Sequence, residues 1–191
     1  MEIRSFLAFE LPLEIKEVVA HAYQGMRKTS LDTRWVKPEN MHLTVVFMGN
    51  VLNERLEPIG EAVGDICREF GPFEIQLKGT GVFSSRRYPR VLWIGLAGDL
   101  ERMSLFRDGL QMNLAPFGIK QETRRYKPHL TMGRFRKGFR AGPHLDEVLS
   151  NYQDLSSAVS TVDELAMFRS DLKPGGAVYS KLQGWHLSGK R

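Results

Sequence analysis

The stretch Pro38-Glu39-Asn40-Met41-His42-Leu43-Thr44-Val45 decides how this chain is organised, because its centre is repeated in the other half. The second copy is His129-Leu130-Thr131-Met132, which follows Tyr126-Lys127-Pro128. In a chain of this composition, chance supplies roughly 0.2 His-x-Thr pairs, and two copies are expected about once in fifty sequences. Both copies also place Leu in the middle and an apolar residue fourth. The repetition predicts two similar lobes.

Strand geometry gives the spacing of each motif a meaning. Side chains alternate between the two faces of a β-strand, so His42 and Thr44 share one face while Leu43 and Val45 share the other. The second motif behaves in the same way. Each lobe can therefore anchor its strand in a core through the apolar pair and present an imidazole and a hydroxyl to a cleft between the lobes.

The rest of the pattern predicts an α+β fold of two pseudo-symmetric lobes, each an antiparallel sheet with helices on its outer face, around a central cleft. No Pro/Ser-rich linker divides the chain, so residues 1–191 are expected to form one domain. A turn is expected at Pro174-Gly175-Gly176. The predicted strands are 3–10, 34–36, 42–48, 73–83, 91–96, 119–124, 129–135, 157–169 and 177–186, and the predicted helices are 13–28, 53–70 (capped by Asn53), 100–114 and 145–149.

Composition and charge narrow the classes of protein. The 42% apolar and 26% charged content over 191 residues is typical of a globular protein. The apolar runs are too short to span a membrane, no signal peptide is evident, and the single Cys67 excludes an internal disulfide, so we expect a cytoplasmic protein. Residues 123–145 carry seven basic residues and no acidic one. This window indicates an anionic partner, either nucleic acid or a phosphorylated metabolite, or else a solvated basic surface.

Two imidazoles in one cleft can act as the general base and the general acid of a displacement at phosphorus. With ordinary pKa values of roughly 6.5, one ring can be neutral and take a proton from water while the other is protonated and gives one to the leaving oxygen. The hydroxyls of Thr44 and Thr131 can donate to the non-bridging phosphate oxygens. The alternative is that both histidines only complete strand faces. Neither motif has an Asp or Glu within two residues of its histidine, so we expect no metal and no cofactor.

These motifs resemble those of the 2H phosphoesterase superfamily, and within it the RNA 2′,3′-cyclic phosphodiesterases, historically called 2′-5′ RNA ligases. The resemblance covers nearly the whole chain. Five segments of the sequence carry it: residues 4–12, residues 34–44 with Phe47-Met48-Gly49, Pro89-Arg90-Val91-Leu92-Trp93, residues 128–134, and the C-terminal set Ser170, Gly176, Tyr179 and Leu182.

The resemblance implies metal-independent hydrolysis of a terminal RNA 2′,3′-cyclic phosphate to a 2′-phosphomonoester, and the reverse 2′-5′ joining of RNA ends. It makes His42 the proton donor and His129 the proton acceptor. The implied partners are RNA ends with a cyclic phosphate, such as tRNA halves, and we expect a monomer that binds no membrane. The alternatives are a cyclic phosphodiesterase acting on a small nucleotide or a 2′-5′ oligonucleotide, and a non-catalytic RNA-binding module.

Three further residues are predicted to bind substrate. Arg134 lies on the opposite strand face to His129 by simple alternation, so it reaches the phosphate only if a bulge at Gly133 intervenes or the strand has ended. The alternative for Arg134 is a structural ion pair. Tyr126, like Trp35, can stack on a nucleobase, although core packing is the alternative for each. Arg125 can contact the RNA backbone, or be solvated.

Overall fold

Two antiparallel sheets form the two lobes of this α+β protein. The computed structural model describes residues 1–174 and 176–191. The strands are β1 (Glu2–Phe9), β2 (Arg34–Trp35), β3 (Leu43–Leu52), β4 (Phe73–Ser84), β5 (Pro89–Gly98), β6 (His129–Arg134), β7 (Ser160–Val162), β8 (Glu164–Lys173) and β9 (Gly176–His186), and the helices are α1 (Leu13–Arg27), α2 (Leu56–Glu69), α3 (Leu100–Leu114) and α4 (Pro143–Asn151).

Each lobe takes strands from both halves of the chain. The first sheet has the order β3-β1-β8-β9, and the second has the order β2-β6-β5-β4-β7. The short β2 comes from the first half but pairs with β6, while β8 and β9 come from the end of the chain and complete the first sheet. The two motif strands, β3 and β6, are thus held in different sheets, and they are in contact.

Helices cover the outer faces because their apolar residues recur at helical spacing. In α2 the glycines at 60 and 64 let the helix approach β9 closely, where Gln183 and Trp185 lie against it. On the other sheet, Tyr23 of α1 packs edge-on against Trp35 at a centroid distance of 5.9 Å. Most buried apolar residues of both lobes join in one core, and a second, small cluster contains Phe6, Ala8, Ala166 and Phe168, with Tyr179 packed against it. This core fixes the sheets relative to each other, and with them the two motifs.

The first motif strand is longer than predicted. The Gly49-Asn50 pair does not close it, because Gly49 adopts a positive φ of 74° inside the strand and pairing with β1 continues to Leu52. Asn53 does not cap the next helix. It begins a 3-10 turn, Asn53–Arg55, that leads into α2, and no side chain caps this turn.

Two other predicted strands were wrong in extent or type. Residues 119–124 form no strand, because β2 already occupies the edge of β6 where they would pair; instead the Gln111 side chain accepts from the backbone N–H of Glu122 at 2.6 Å. Residues 157–169 split near Asp163 into β7 and β8, which belong to different sheets. The predicted turn at 174–176 includes Gly175, which lies outside the described residues.

Within the two described segments of the chain, no helix combines the length and the hydropathy that a membrane crossing requires.

Candidate active site

Both motif strands carry a β-bulge at the same place. In the pairing of β1 with β3, Val45 is left without a partner, and in the pairing of β5 with β6 the same happens at Met132. Each bulge is the third residue after the motif histidine. An extra residue reverses the alternation, so the fifth residue after each histidine returns to the histidine's face. Those residues are Phe47 and Arg134.

The two imidazoles are held by the same local bond. The Nδ1 of His42 lies 2.9 Å from the carbonyl oxygen of Asn40, and the Nδ1 of His129 lies 2.7 Å from that of Lys127. A carbonyl oxygen only accepts, so Nδ1 carries the proton in both rings. Each neutral ring is therefore left with an unprotonated Nε2 that can accept a proton or, once protonated, donate one.

His42 lies in an aromatic environment. Its ring stacks on Phe6 at a centroid distance of 4.6 Å and meets the edge of Tyr179 at 5.1 Å. Burial among these rings lowers the pKa of His42 to about 4, although the bond to Asn40 opposes this, and the charge of Arg134 lowers it further. The segment that precedes β3 is also fixed, because the Asn40 amide donates to the carbonyl of Ala177 at 3.0 Å.

His129 is less enclosed. Phe83 packs edge-on against its ring at a centroid distance of 4.7 Å. Burial is again the main reason that the pKa of His129 lies below its usual value, and Arg134 again contributes. Both histidines are consequently neutral near pH 7 in the free protein.

Arg134 affects the histidines of both lobes electrostatically. Burial is the main cause of the lowered pKa of each imidazole, and the positive charge of Arg134 lowers both pKa values further. Simple alternation would put Arg134 on the opposite face. The bulge at Met132–Gly133 instead places Arg134 on the strand face that carries His129 and Thr131. Gly133 is also needed for a close approach, because a Cβ there would lie 2.9 Å from the Thr33 hydroxyl and 3.4 Å from the Arg34 carbonyl.

Tyr126 contacts the other lobe rather than lying open to a base. Its hydroxyl donates to the carbonyl of Thr44 at 2.8 Å, and the Arg107 guanidinium covers its ring at 5.2 Å. Burial raises the pKa of Tyr126 above its usual value. These contacts favour a role in placing the first motif. Arg125 is exposed, and its contact with RNA stays a prediction.

Three aromatic residues near the motifs were missed as site residues. Phe47 is 64% exposed although it belongs to a strand, and it occupies the position that matches Arg134 in the other lobe. Phe83 and Trp93, with centroids 5.6 Å apart, lie on the face of β4 and β5 that carries His129 and Thr131. Aligning the two motifs beyond their fourth residue would have identified Phe47. Trp35 packs on the opposite face, against Tyr23.

Within residues 1–174 and 176–191, no three His, Cys, Asp or Glu side chains are grouped so that they could hold a metal ion. The chemically active groups at this cleft are two imidazoles, two threonine hydroxyls and a guanidinium.

Fold and site together define a two-lobed α+β protein whose lobes each contribute one His-x-Thr strand to a shared cleft. The chain matches the pattern of the LigT like phosphoesterases twice, over residues 9–93 and 94–179. It belongs to this family.

Relatives and solved structures agree with the match. The chain is 34% identical over 187 residues to an RNA 2′,3′-cyclic phosphodiesterase of Methanothermobacter thermautotrophicus, covering 98% of this chain and 100% of the relative. It is 29% identical, over 98% of this chain and 97% of the relative, to one of Thermotoga maritima. A crystal structure from Thermus thermophilus superposes with a TM-score of 0.80 and 26% identity, covering 99% of this chain and 100% of that one. The fold of Escherichia coli LigT, solved with 3′-AMP, matches with a TM-score of 0.74 at 24% identity over 98% of this chain and 99% of the other.

Proposed function

We propose that this protein hydrolyses the terminal 2′,3′-cyclic phosphate of RNA to a 2′-phosphomonoester, with His42 and His129 as its acid–base pair and without a metal ion. One observation carries the proposal. The two imidazoles, one from each lobe, are fixed in the same way through Nδ1, and the charge of Arg134 acts on both. The relatives with this name match the chain over nearly its full length, which supports a cyclic phosphodiesterase.

The proposed step is a displacement at phosphorus. The Nε2 of His129 takes a proton from water as the water oxygen forms a bond to phosphorus. The bond from phosphorus to the ribose 3′ oxygen breaks, and the Nε2 of His42 gives its proton to that oxygen. Thr44, Thr131 and Arg134 donate to the non-bridging oxygens, where charge develops. With the 5′-hydroxyl of a second RNA in place of water, the same step forms a 2′-5′ linkage.

The protonation states fit this step once substrate is bound. His42 must carry two protons to act as the acid, yet its pKa of about 4 leaves it neutral at pH 7 in the free protein. The negative charge of a cyclic phosphate placed beside the ring stabilises the imidazolium and raises this pKa. Substrate binding therefore supplies the charge that prepares the acid. His129, with its lowered pKa, is already a base at neutral pH.

Product mapping tests the proposal. The full chain is incubated with an oligoribonucleotide ending in a 2′,3′-cyclic phosphate, with excess EDTA present, and the ribose oxygen that keeps the phosphate is identified. We expect complete conversion to the 2′-phosphate. A 3′-phosphate product would reverse the geometry proposed at phosphorus, and loss of turnover on chelation would require a metal. Tight binding without turnover would instead make the protein an RNA-binding module.

We further propose that the protein acts as a cytoplasmic monomer on RNA ends such as tRNA halves. One chain supplies both imidazoles, so catalysis requires no second copy. The single thiol, Cys67, is buried in α2, and burial raises its pKa to about 12, which keeps it unreactive. Sedimentation of the active enzyme at assay concentrations checks the monomer.

A further inference from the structure

The edge of the second sheet brings two arginines directly opposite each other. The strand β2 is only two residues long, and its register pairs Arg34 with Arg134. Side chains of directly opposed residues in antiparallel strands share a face, with Cβ atoms about 4.5–5.5 Å apart, and like charges in such pairs are destabilising. Arg34 therefore lies on the face of the catalytic cleft, beside the guanidinium that acts on both histidines.

Among the described residues, no carboxylate forms an ion pair that relieves this repulsion. In this part of the chain, the ion pairs of arginine side chains involve seven other arginines, at positions 68, 86, 102, 107, 124, 169 and 191. Arg34, Arg134 and the nearby Arg136 take part in none of them. Three guanidiniums that take part in no described ion pair are thus grouped at one sheet edge, where they can bind an anion.

A cavity of about 330 Å³ lies at this place. It is lined by Asp32, Thr33, Arg34, Arg134, Phe135 and Arg136. The lining contains one carboxylate, Asp32, and three guanidiniums, so its formal charge is positive overall. A phosphate group suits it, because guanidinium nitrogens donate to phosphate oxygens in a paired geometry.

We propose that Arg34, with Arg136, binds the phosphodiester on the 5′ side of the terminal nucleotide of an RNA. This inference rests on the proposed function and adds the residues that distinguish an oligonucleotide from a mononucleotide. Arg134 contributes to both sites: its charge acts on the two imidazoles, and it lines the cavity. In an RNA strand, the negative group next to the reacting terminal phosphate is the phosphodiester on the 5′ side of the terminal nucleotide. A strand that runs from the reacting phosphate past Arg134 would place this phosphodiester in the cavity.

The test compares two substrates and three variants. The substrates are a dinucleotide ending in a 2′,3′-cyclic phosphate and the corresponding mononucleoside 2′,3′-cyclic phosphate, which lacks the internal phosphodiester. The variants are Arg34→Gln, Arg34→Lys and, as a control, Arg68→Gln on the exposed side of α2. For Arg34→Gln we expect kcat/KM on the dinucleotide to fall about tenfold, chiefly through KM, and to stay within about twofold on the mononucleotide.

Salt dependence gives a second readout that a structural role would not change. Each single-strand phosphate contact contributes about 0.7 to the slope of log affinity against log salt. The dinucleotide slope should therefore become shallower by about that amount in Arg34→Gln and recover in Arg34→Lys. An equal fall on both substrates, or no change on either, would overturn the subsite. So would a loss of thermal stability in Arg34→Gln without recovery in Arg34→Lys.

Direct binding separates failure of the subsite from failure of the proposed function. The dinucleotide and the mononucleotide with a 2′-phosphate are titrated against the wild type and Arg34→Gln. If the wild type hydrolyses neither cyclic substrate but binds the dinucleotide more tightly through Arg34, the proposed function fails and the subsite stands. If hydrolysis proceeds and the dinucleotide has no Arg34-dependent advantage in binding, the subsite fails alone.

Discussion

The two motif strands have the same backbone and different surroundings. Both hold the imidazole through Nδ1 to the carbonyl two residues earlier, and both bulge three residues after it. They differ at the fifth residue, where the first has Phe47 and the second has Arg134. The duplicated backbone provides two equivalent bases, and the unmatched residue makes one side of the cleft apolar and the other side cationic. Because the two sides differ, a substrate with an apolar end and an anionic end is expected to bind in one orientation although the fold is symmetric.

The largest expected effect tests what the lobes share. His42→Ala and His129→Ala should each lower kcat by about 10³–10⁴-fold, because each removes one of two proton transfers. His21→Ala, on the exposed side of α1, is the control and should be unchanged. The measurement is single-turnover hydrolysis of the cyclic-phosphate oligonucleotide, with circular dichroism to confirm folding. Activity near wild type in either variant would show that the two motifs share a backbone structure but do not both transfer a proton.

Arg134 tests the cationic side of the comparison. Arg134→Gln should lower kcat about 10²–10³-fold, since it removes a donor to the phosphate oxygens. It should also move the pH profile of kcat/KM. The wild-type profile should be bell-shaped with its maximum below pH 6.5, because both free-enzyme pKa values are lowered. Without the guanidinium charge both pKa values rise, so both limbs should shift to higher pH.

The matched control for this variant is Arg68→Gln, which removes the same charge from an exposed site on α2. It should leave both the rate and the profile unchanged. A fall in rate without a shift of either limb would mean that Arg134 binds phosphate but lies too far from the imidazoles to affect them.

Phe47 tests the apolar side. Phe47→Ala should raise KM for an oligonucleotide about tenfold and leave kcat nearly unchanged, because stacking on a base contributes roughly 1–3 kcal/mol per base. Leu105→Ala, at another exposed apolar position, on α3, is the control. A lowered kcat with unchanged KM would instead place Phe47 in support of the His42 ring through Phe6, whose centroid lies 6.2 Å away.

The sequence predicted the parts of the site that depend on local alternation. His42 with Thr44, and His129 with Thr131, follow from the period of two along a strand. The bulges could not be predicted, because an unpaired residue such as Val45 has no local signature; it arises from the register with β1. That register decides whether the fifth residue faces the cleft. The sequence alone therefore leaves the face of Arg134 undecided and gives no indication that Phe47 faces the cleft.

Long-range pairing explains the errors in the fold as well. Residues 119–124 have the composition of a strand, yet the edge of β6 is taken by β2, whose two residues give almost no signal of their own. The same pairing creates the Arg34–Arg134 contact. Features that depend on which segments meet, rather than on what one segment prefers, required the structure.

The last expected effect concerns stability rather than catalysis, and it again separates the lobes. An unfolded chain titrates His42 near pH 6.5, whereas the folded protein binds the proton only near pH 4. Between these values the unfolded state binds more protons, so the stability contributed by His42 is present above pH 6.5 and is lost as pH falls towards 4. The linked free energy is at most about 3 kcal/mol.

His42→Asn should therefore lose less stability than the wild type between pH 7 and pH 4.5, measured by urea unfolding at each pH. His129→Asn should show the same trend to a smaller extent, because its ring has fewer aromatic neighbours. Carboxylates titrate in the same range in every variant, so the difference from wild type, not the absolute slope, carries the information. Identical slopes in wild type and His42→Asn would mean that water reaches the His42 ring as freely as in the unfolded chain, and the aromatic enclosure would then have no electrostatic consequence.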